Sequence, residues 1–368
     1  MLVFHSRHAS GNATPDRWLA SPPGHGAPPQ ETIPDTLHYV YLLPDPFASN
    51  STFSFGFSHF LSIYAAHHYL QPSCIYIHTN AVSTSPAVLY ALKASSSVSN
   101  KWTKLIFTLP ELSLMLVHHP VPTHATNGVS IKGMEHKSDF VRVEAIEKYG
   151  GTYIDWDVHF LRSTRRILQS GFQAIAGRQK YGQINSGVFM SVAHGKMITL
   201  WKDMMHKVYD GGWTTHSNEV LTKIGERLVG SREEGEMLIM ERDAFAPGGW
   251  DEEDFDLLFS PREEPVLDIE SIMARGWKLP DFNPASESEE RWEHPERFQE
   301  WEMDWSRTYL LHAFSPERSG YEVQGFERGR ITPRYVLERG SNFARAVYPV
   351  AKVLYERGLL GVEDLDRW

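Results

Sequence analysis

Cysteine is almost absent from this sequence. Cys74 is the only one in 368 residues, so no disulfide can form within the chain. The sequence is therefore not that of a small disulfide-stabilised domain, and it carries no sign of an oxidising compartment. Because Cys74 opens the apolar run Cys-Ile-Tyr-Ile, we expect it to lie in the core rather than to act as a reactive thiol.

Long apolar runs are also absent. No window of about 18 apolar residues occurs, so the sequence predicts no membrane span. The start lacks the charged-then-apolar pattern of a signal peptide. Asn12 and Asn50 each open a tripeptide of the N-glycosylation type, which gives weak support for a lumenal location.

Basic residues are fewer than acidic ones. The 36 Lys and Arg residues are outnumbered by 46 Asp and Glu residues, for a net charge of −10. This balance disfavours nucleic acid and anionic membrane surfaces as general partners. An acidic protein that binds a phosphorylated ligand needs local positive charge, which a bound metal could supply.

With 41% hydrophobic residues, the chain is long enough for one large α/β domain or two smaller ones.

The most informative stretch of the sequence is residues 137–161. It predicts a helix with Ser138 as its N-cap, a stop at Gly150 and Gly151, and a short strand that starts near Tyr153. The helix carries apolar residues on more than one side, which indicates that it is well buried.

Acidic residues follow that strand. Asp155 and Asp157 are two residues apart, so on a strand their carboxylates would point to the same face, roughly 7 Å apart. A divalent cation such as Mg²⁺ or Mn²⁺ would relieve their repulsion. Asp139 and Arg142 share one face of the preceding helix. The alternative is a pair of solvated acids and a surface Asp–Arg pair, since an isolated Asp-x-Asp tripeptide is common.

Together these residues resemble a family signature. The pattern Ser-Asp-x-x-Arg, followed by Tyr-Gly-Gly-x-Tyr-x-Asp-x-Asp, is similar to that of family 32 glycosyltransferases. These DXD-motif sugar transferases include fungal α-1,6-mannosyltransferases, ceramide-inositol mannosyltransferases and α-1,4-galactosyltransferases. The resemblance is strong over about residues 33–225. The residues that carry it are Ser138, Asp139, Arg142, Tyr149, Gly150, Gly151, Tyr153, Asp155 and Asp157.

The resemblance implies an α/β fold of the GT-A-like, nucleotide-diphospho-sugar transferase type. Its sheet would be mixed, mainly parallel and flanked by helices. We expect one domain over residues 32–368, with a variable insertion at about 251–305 and a C-terminal helix over 341–357. Residues 1–31 are rich in Pro, Gly, Ser and His, which predicts a disordered segment.

Roles for the motif residues also follow from the resemblance. Asp157, with help from Asp155, would hold Mn²⁺ or Mg²⁺ against the donor diphosphate, and the ion would stabilise the leaving group. Asp139 and Arg142 would bind the donor's sugar and its ribose or phosphate side. Tyr153 would line the nucleotide pocket.

Polar residues elsewhere are further candidates. Asn185 and Ser186 occupy a segment that lies against the sugar donor in the family, although ordinary turn chemistry would also explain them. Asn218 and Glu219 open a predicted helix, where such side chains hold sugar hydroxyls or cap the helix. His312 ends an apolar strand and resembles the late histidine that completes the family's metal or diphosphate site; the alternative is a core histidine.

The resemblance therefore implies a metal-dependent transferase that moves a hexose from GDP-mannose or a UDP-hexose to a glycan or glycolipid acceptor, with retention. Nucleic acid is not an expected partner. The family suggests the Golgi, but this chain shows no anchor, so membrane association would need a partner or a missing anchor. Two alternatives stay open. One is a glycoside hydrolase with carboxylates roughly 5 to 10 Å apart, and the other is a non-catalytic nucleotide-sugar-binding protein.

Overall fold

The computed structural model describes residues 3–5, 32–93, 100–231, 235–262, 267–286, 288–315, 320–326 and 330–364. The strands in these ranges are β1 Val3–His5, β2 Leu37–Val40, β3 Ile75–Thr79, β4 Leu114–His118, β5 Gly151–Ile154, β6 Val158–Phe160, β7 Ala174–Arg178, β8 Ile184–Ser191, β9 Leu238–Met240 and β10 Leu310–His312. The α helices are α1 Phe57–Leu70, α2 Pro86–Lys93, α3 Lys101–Thr108, α4 Met134–Tyr149, α5 Arg165–Leu168, α6 Lys196–Val208, α7 Val220–Val229, α8 Arg242–Phe245, α9 Glu252–Phe259, α10 Ile269–Ala274, α11 Ser288–Glu293, α12 Pro333–Glu338 and α13 Asn342–Glu356.

The central sheet has the strand order β1-β4-β3-β2-β5-β8-β7-β9. The neighbours β4/β3, β3/β2, β2/β5 and β7/β9 are parallel, and the other three pairs are antiparallel. A second sheet consists of β6 and β10, paired antiparallel. The predicted α/β class, with a mixed, mainly parallel sheet flanked by helices, is confirmed.

Helices cover both faces of the sheet. On one face, α1 and α13 pack against side chains such as Tyr39 and Ile77. On the other face, α4, α6 and α7 pack against side chains such as Tyr153 and Phe189, with Trp201 of α6 fully buried. This burial on two faces explains why the strands read as continuous apolar runs. None of the helices in the described ranges is long and apolar enough to cross a bilayer.

Several predicted boundaries are wrong by a few residues. Helix α4 begins at Met134 with Gly133 as its N-cap, rather than at Ser138, because the residues before Ser138 are themselves good helix formers. The apolar run of residues 37–43 predicts a strand over its whole length, but β2 ends at Val40, and the Leu43 N–H donates to Asn80 Oδ1 at 2.8 Å instead. Helix α3 was not predicted; it is capped by Asn100, whose side chain accepts from the Thr103 N–H.

The two flanking regions also differ from expectation. Val3–His5 pairs with β4, so the predicted disorder of residues 1–31 does not hold for these three residues, whose apolar pattern suits an edge strand; residues 6–31 lie outside the described ranges. The region 251–305 contains α9, α10 and α11, and it buries Phe255 and Trp305 in the core. It is therefore packed onto the domain, and its status as a variable insertion stays a prediction. The C-terminal helix matches its predicted span to within one residue at each end.

Three buried histidines lie side by side across the parallel strands. His38 Nδ1 is 2.9 Å from His78 Nε2, and the His78 and His119 rings are 4.7 Å apart. Burial lowers the pKa of His38 to about 3 and that of His119 to about 4, and it lowers the pKa of His78 well below its usual value. The cluster is therefore neutral in the folded protein at neutral pH.

These histidines predict sensitivity to acid. An unfolded histidine takes up a proton near pH 6.5, but the folded cluster resists it, so stability is retained above pH 6.5 and lost as the pH falls towards 4. We expect the free energy of unfolding to fall by about 1.4 kcal/mol per pH unit for each histidine that stays neutral in the folded state. Urea denaturation at a series of pH values measures this. A His119→Asn variant should have a shallower slope, and equal slopes would contradict the prediction.

Candidate active site

The Asp155-Trp156-Asp157 segment lies in the turn between β5 and β6, at the carboxyl end of β5. The acids follow the strand directly, since β5 ends at Ile154, but they lie in a turn, in which the Val158 N–H donates to the Asp155 carbonyl at 3.1 Å. Trp156 points away from the acids: its Nε1 donates to the Val40 carbonyl at 2.8 Å, and its ring stacks on Tyr39. The turn is thus fixed to the neighbouring strand β2.

The second sheet brings His312 to the same place. Because β10 pairs with β6, His312 lies opposite Val158, next to the turn. Ligand atoms of Asp155, Asp157 and His312 all lie within 4.8 Å of one another. His312 Nε2 is 3.4 Å from Asp157 Oδ1. The structure therefore brings together the three residues that the sequence singled out as metal ligands.

Asn185 orients this histidine. Its Nδ2 donates to His312 Nδ1 at 2.8 Å, while its Oδ1 accepts from the Gly187 N–H at 2.6 Å. These two bonds fix the amide and leave Nε2 of His312 facing Asp157. Since Asn185 is 1% exposed, it acts through His312 and is not itself open to a ligand in this conformation.

Arg142 is the cation at the base of the site. Its Nη2 lies 2.8 Å from Asp139 Oδ1 and 3.3 Å from Asp155 Oδ1, and its Nη1 donates to the Ser186 carbonyl at 3.0 Å. Burial by itself would lower the pKa of Arg142, but the surrounding groups, Asp155 foremost, raise it above its ordinary value. The guanidinium therefore stays charged although it is buried.

Tyr153 contacts both Arg142 and Asp155. Its hydroxyl donates to Asp155 Oδ1 at 2.6 Å, and the Arg142 guanidinium lies over its ring at 4.7 Å. Burial raises the pKa of Tyr153 well above the ordinary value, so the hydroxyl remains a donor. Tyr153 is 2% exposed, and its expected role in lining a nucleotide pocket stays a prediction. Its position suits holding Asp155 in place.

His216 is a site residue that the sequence did not reveal. It is fully buried, and its Nε2 donates to Asp139 Oδ2 at 2.8 Å. It belongs to the π-helical turn Thr215–Glu219, a type of distortion that often marks functional sites. No local pattern pointed to it, because its partner Asp139 is 77 positions away in the sequence.

Ser186, Asn218 and Glu219 border the same region. The Ser186 hydroxyl donates to Asn218 Oδ1 at 2.7 Å, so β8 and the π-helical turn are joined beside the acids. Glu219 accepts from the Thr214 hydroxyl at 2.8 Å, which ties it to its own turn. Asn218 and Glu219 are half-buried. Of these three, Ser186 bonds directly to Arg142 through its carbonyl, and Asn218 is joined to Arg142 through Ser186.

Gly187 allows the site to be this compact. A Cβ atom added there would lie 2.6 Å from both Asp155 Oδ2 and His312 Cε1. No side chain other than hydrogen fits between the first acid and the histidine. Glycine is therefore required at this position for steric reasons. In the sequence this requirement is visible only as a glycine that follows Asn185 and Ser186.

The charges at the site suit a divalent cation. Three carboxylates, those of Asp139, Asp155 and Asp157, surround one guanidinium, so two negative charges remain when both histidines are neutral. Two carboxylates and an imidazole form a ligand set that Mn²⁺ and Mg²⁺ accept. The residues present therefore fit the metal that the motif implies.

A family model agrees with this geometry. Residues 68–173 match the model described as the glycosyltransferase sugar-binding region containing the DXD motif. That range includes α4 and the Asp155-Trp156-Asp157 turn. The resemblance to DXD-motif glycosyltransferases is thereby confirmed for this part of the chain.

One curated relative is the glucan organizing enzyme 1 of Cryptococcus neoformans var. grubii. It is 24% identical over 193 residues, which is 50% of this chain and 47% of the relative. The chain thus spans about half the length of the curated relative that it matches.

Solved structures with similar shape are glycosyltransferases. The PaToxG glycosyltransferase is 13% identical, with 55% of this chain and 72% of that chain covered and a TM-score of 0.37. GlyE of Streptococcus pneumoniae is 8% identical, with 90% and 66% covered and a TM-score of 0.37. The galactosyltransferase LgtC is 11% identical, with 58% and 76% covered and a TM-score of 0.33. These scores are low, and the fold class rests on the sheet topology itself.

The steric role of Gly187 yields a prediction. In Gly187→Ala the new methyl group would push Asp155 and His312 apart, so we expect Mn²⁺ binding to weaken by roughly tenfold or more, as for other changes that disturb ligand orientation. Stability should fall by about 1 to 3 kcal/mol through overpacking. Calorimetric titration with Mn²⁺ and thermal unfolding measure the two effects. Gly340→Ala is the matched control, because its Cβ would meet nothing closer than 3.9 Å; equal Mn²⁺ affinity in both variants would contradict the steric role.

The buried guanidinium yields a second prediction. Arg142→Met leaves Asp139 and Asp155 without their cation, so we expect the free energy of unfolding to fall by about 3 to 5 kcal/mol. Arg297→Met is a suitable control. It removes the exposed ion pair in which Arg297 Nη1 lies 3.0 Å from Glu290 Oε1, and it should lower the free energy of unfolding by less than about 1 kcal/mol. Guanidinium chloride denaturation compares the two. Similar losses in both variants would show that Arg142 does not hold the site together.

Proposed function

We propose that this protein is a divalent-metal-dependent glycosyltransferase that moves a hexose from a nucleotide-diphospho-sugar to a glycan or glycolipid acceptor. The observation that carries the proposal is the convergence of Asp155, Asp157 and His312 within 4.8 Å, inside a chain that matches the DXD-motif sugar-binding region. Ligands of parallel α/β sheets bind at the carboxyl ends of the strands, where these residues lie.

In this proposal Asp157, Asp155 and His312 hold Mn²⁺ or Mg²⁺. When bound, such an ion stabilises the negative charge of the departing nucleoside diphosphate as a Lewis acid. Asn185 fixes the orientation of the His312 ring, and Tyr153 and Arg142 hold Asp155. The position of Asp155 is thus preorganised, which reduces the reorganisation that the reaction would otherwise require.

Asp139 and Arg142 form the donor-facing part of the proposal. The bond between them and the contact of His216 with Asp139 hold the Asp139 carboxylate in place beside the acid turn. Asn218 places its carboxamide beside Ser186, where its N–H groups are available to donate to a sugar oxygen. Glu219 lies next to it on the same turn. We assign no nucleophile, and retention of configuration rests on the family resemblance alone.

The donor is GDP-mannose or a UDP-hexose in this proposal. The name of the curated relative makes a glucan the first acceptor class to test. A Golgi location and a variable insertion at 251–305 follow from the same resemblance and belong to the proposal.

The geometry favours transfer over hydrolysis. A glycoside hydrolase of the paired-acid type needs one protonated carboxyl group as general acid. Asp155 Oδ1 lies 3.3 Å from Arg142 Nη2 and accepts from the Tyr153 hydroxyl at 2.6 Å, so this oxygen is already engaged as an acceptor and is not placed to donate a proton to a glycosidic oxygen. A binding protein without catalysis would keep the same contacts, and only turnover separates it from the enzyme.

The proposal predicts that the acids are needed for metal-dependent turnover. Hydrolysis or transfer of the donor sugar with Mn²⁺ should stop in EDTA, and Asp157→Asn should lower the rate roughly 100-fold or more, because a charge-stabilising group is lost. A thermal-shift screen of GDP- and UDP-sugars with Mn²⁺ selects the donor for the assay. Asp203→Asn, on the exposed side of α6, is the matched control and should retain full activity.

Each alternative has a distinct outcome. Full activity in EDTA, or an unaffected Asp157→Asn protein, would refute the metal-dependent transferase. Cleavage of an oligosaccharide without any nucleotide sugar would indicate a hydrolase. Binding of a nucleotide sugar with no turnover across glycan acceptors would indicate a binding protein.

A further inference from the structure

A row of aromatic rings leads outward from His312. The Phe314 ring stacks on the imidazole of His312 with centroids 3.8 Å apart. Trp250 contacts Phe314 edge-to-face at 5.4 Å, and Tyr181 contacts Trp250 in the same way at 5.9 Å. We call Phe314, Trp250 and Tyr181 the aromatic row. It lies outside the segment that matches the family model, and none of its members belongs to the site described above.

The outer end of the aromatic row is exposed but held in place. Tyr181 is 74% exposed, whereas its hydroxyl donates to Asp251 Oδ2 at 2.6 Å. The neighbouring Lys180 ammonium lies 2.7 Å from the same carboxylate group. An exposed ring that is already fixed loses little conformational freedom when a ligand stacks on it. This is the arrangement expected of a binding platform rather than of a surface side chain without a role.

Both ends of the aromatic row have strained backbones. Tyr181 has φ +67° and Phe314 has φ +49°, in the left-handed region that bulky residues rarely adopt. Of the six non-glycine residues with positive φ in the described ranges, these two are the only phenylalanine or tyrosine residues, and both belong to the row. Strain of this kind persists where the surroundings impose it, and it is concentrated at functional sites.

We propose that the aromatic row is a platform for the acceptor glycan, which binds sugar rings beyond the one that receives the hexose. The proposal rests on the proposed function for its place beside the donor site. The C–H face of a pyranose ring is apolar and slightly positive, so it matches the negative face of an aromatic ring. The row starts at His312, so a glycan stacked on it would have one end directed at the metal ligands.

The other exposed tryptophan side chains are not connected to the aromatic row. Trp213 is 64% exposed, Trp277 is 59% exposed and Trp292 is 87% exposed, but none of the three makes a ring contact with the aromatic row within the described parts of the chain. The acceptor is therefore expected to be an oligosaccharide chain of several sugars that lies along Phe314, Trp250 and Tyr181, and affinity should rise with chain length.

The test is binding of oligosaccharides without donor and in EDTA, so that it does not depend on turnover. The probes are gluco- and manno-oligosaccharides from the monosaccharide to the hexasaccharide, measured by calorimetry and tryptophan fluorescence. We expect Tyr181→Ala to weaken binding of the longest bound oligosaccharide about 3- to 10-fold, the effect of one lost aromatic contact. With active enzyme, KM for long acceptors should rise by the same factor.

Three further variants make the result decisive. Tyr181→Phe keeps the ring and should bind nearly as well as wild type, whereas Trp292→Ala removes an exposed indole outside the row and should have no effect. Tyr181→Gly should weaken binding without loss of stability, because glycine adopts the left-handed region freely. Equal affinity of wild type and Tyr181→Ala for every oligosaccharide, or binding of none, would overturn the platform. Binding that needs Tyr181 in a protein without transferase activity would uphold the platform and refute the proposed function instead.

Discussion

The rest of the site depends on one buried ion pair network, in which Arg142 contacts Asp139, Asp155 and the Ser186 carbonyl. Three carboxylates could not be placed this close in a buried cleft without a fixed cation, since each would repel the others. The guanidinium offsets part of that charge permanently, and it joins helix α4 to the turn after β5 and to strand β8. Its planar fork serves three elements at once, which a lysine could not do. Two negative charges remain, and one divalent cation would balance them.

The second sheet gives the site its histidine. Strand β10 is only three residues long and pairs with an equally short β6, yet this pairing decides where His312 points. The imidazole is then clamped between the Asn185 amide, the Asp157 carboxylate and the Phe314 ring. Because Phe314 also opens the aromatic row, one short strand connects the proposed metal ligands to the proposed acceptor platform.

Sequence reasoning found the parts of the site that local patterns encode. The helix, glycine stop, strand and acid pair of residues 137–161 appear in the predicted order, because apolar periodicity and glycine act locally. His312 was singled out, and the structure brings it to Asp155 and Asp157. By contrast, the contact of His216 with Asp139, the steric need for Gly187 and the aromatic row were missed. Each depends on residues brought together from distant parts of the chain, and no spacing within a short window encodes such contacts.

The short strand β10 has a consequence for the order of events during synthesis. The Asp155-Trp156-Asp157 turn emerges from the ribosome long before Leu310–His312, and a domain generally folds only as its long-range pairings become available. The acid turn is therefore without His312 until about 150 further residues have been translated, at the rate of 5 to 20 residues per second typical of synthesis. A nascent chain interrupted before β10 would carry the complete sugar-transferase signature and yet lack the third ligand. Presence of the signature in a fragment is thus no guide to whether that fragment can retain an ion.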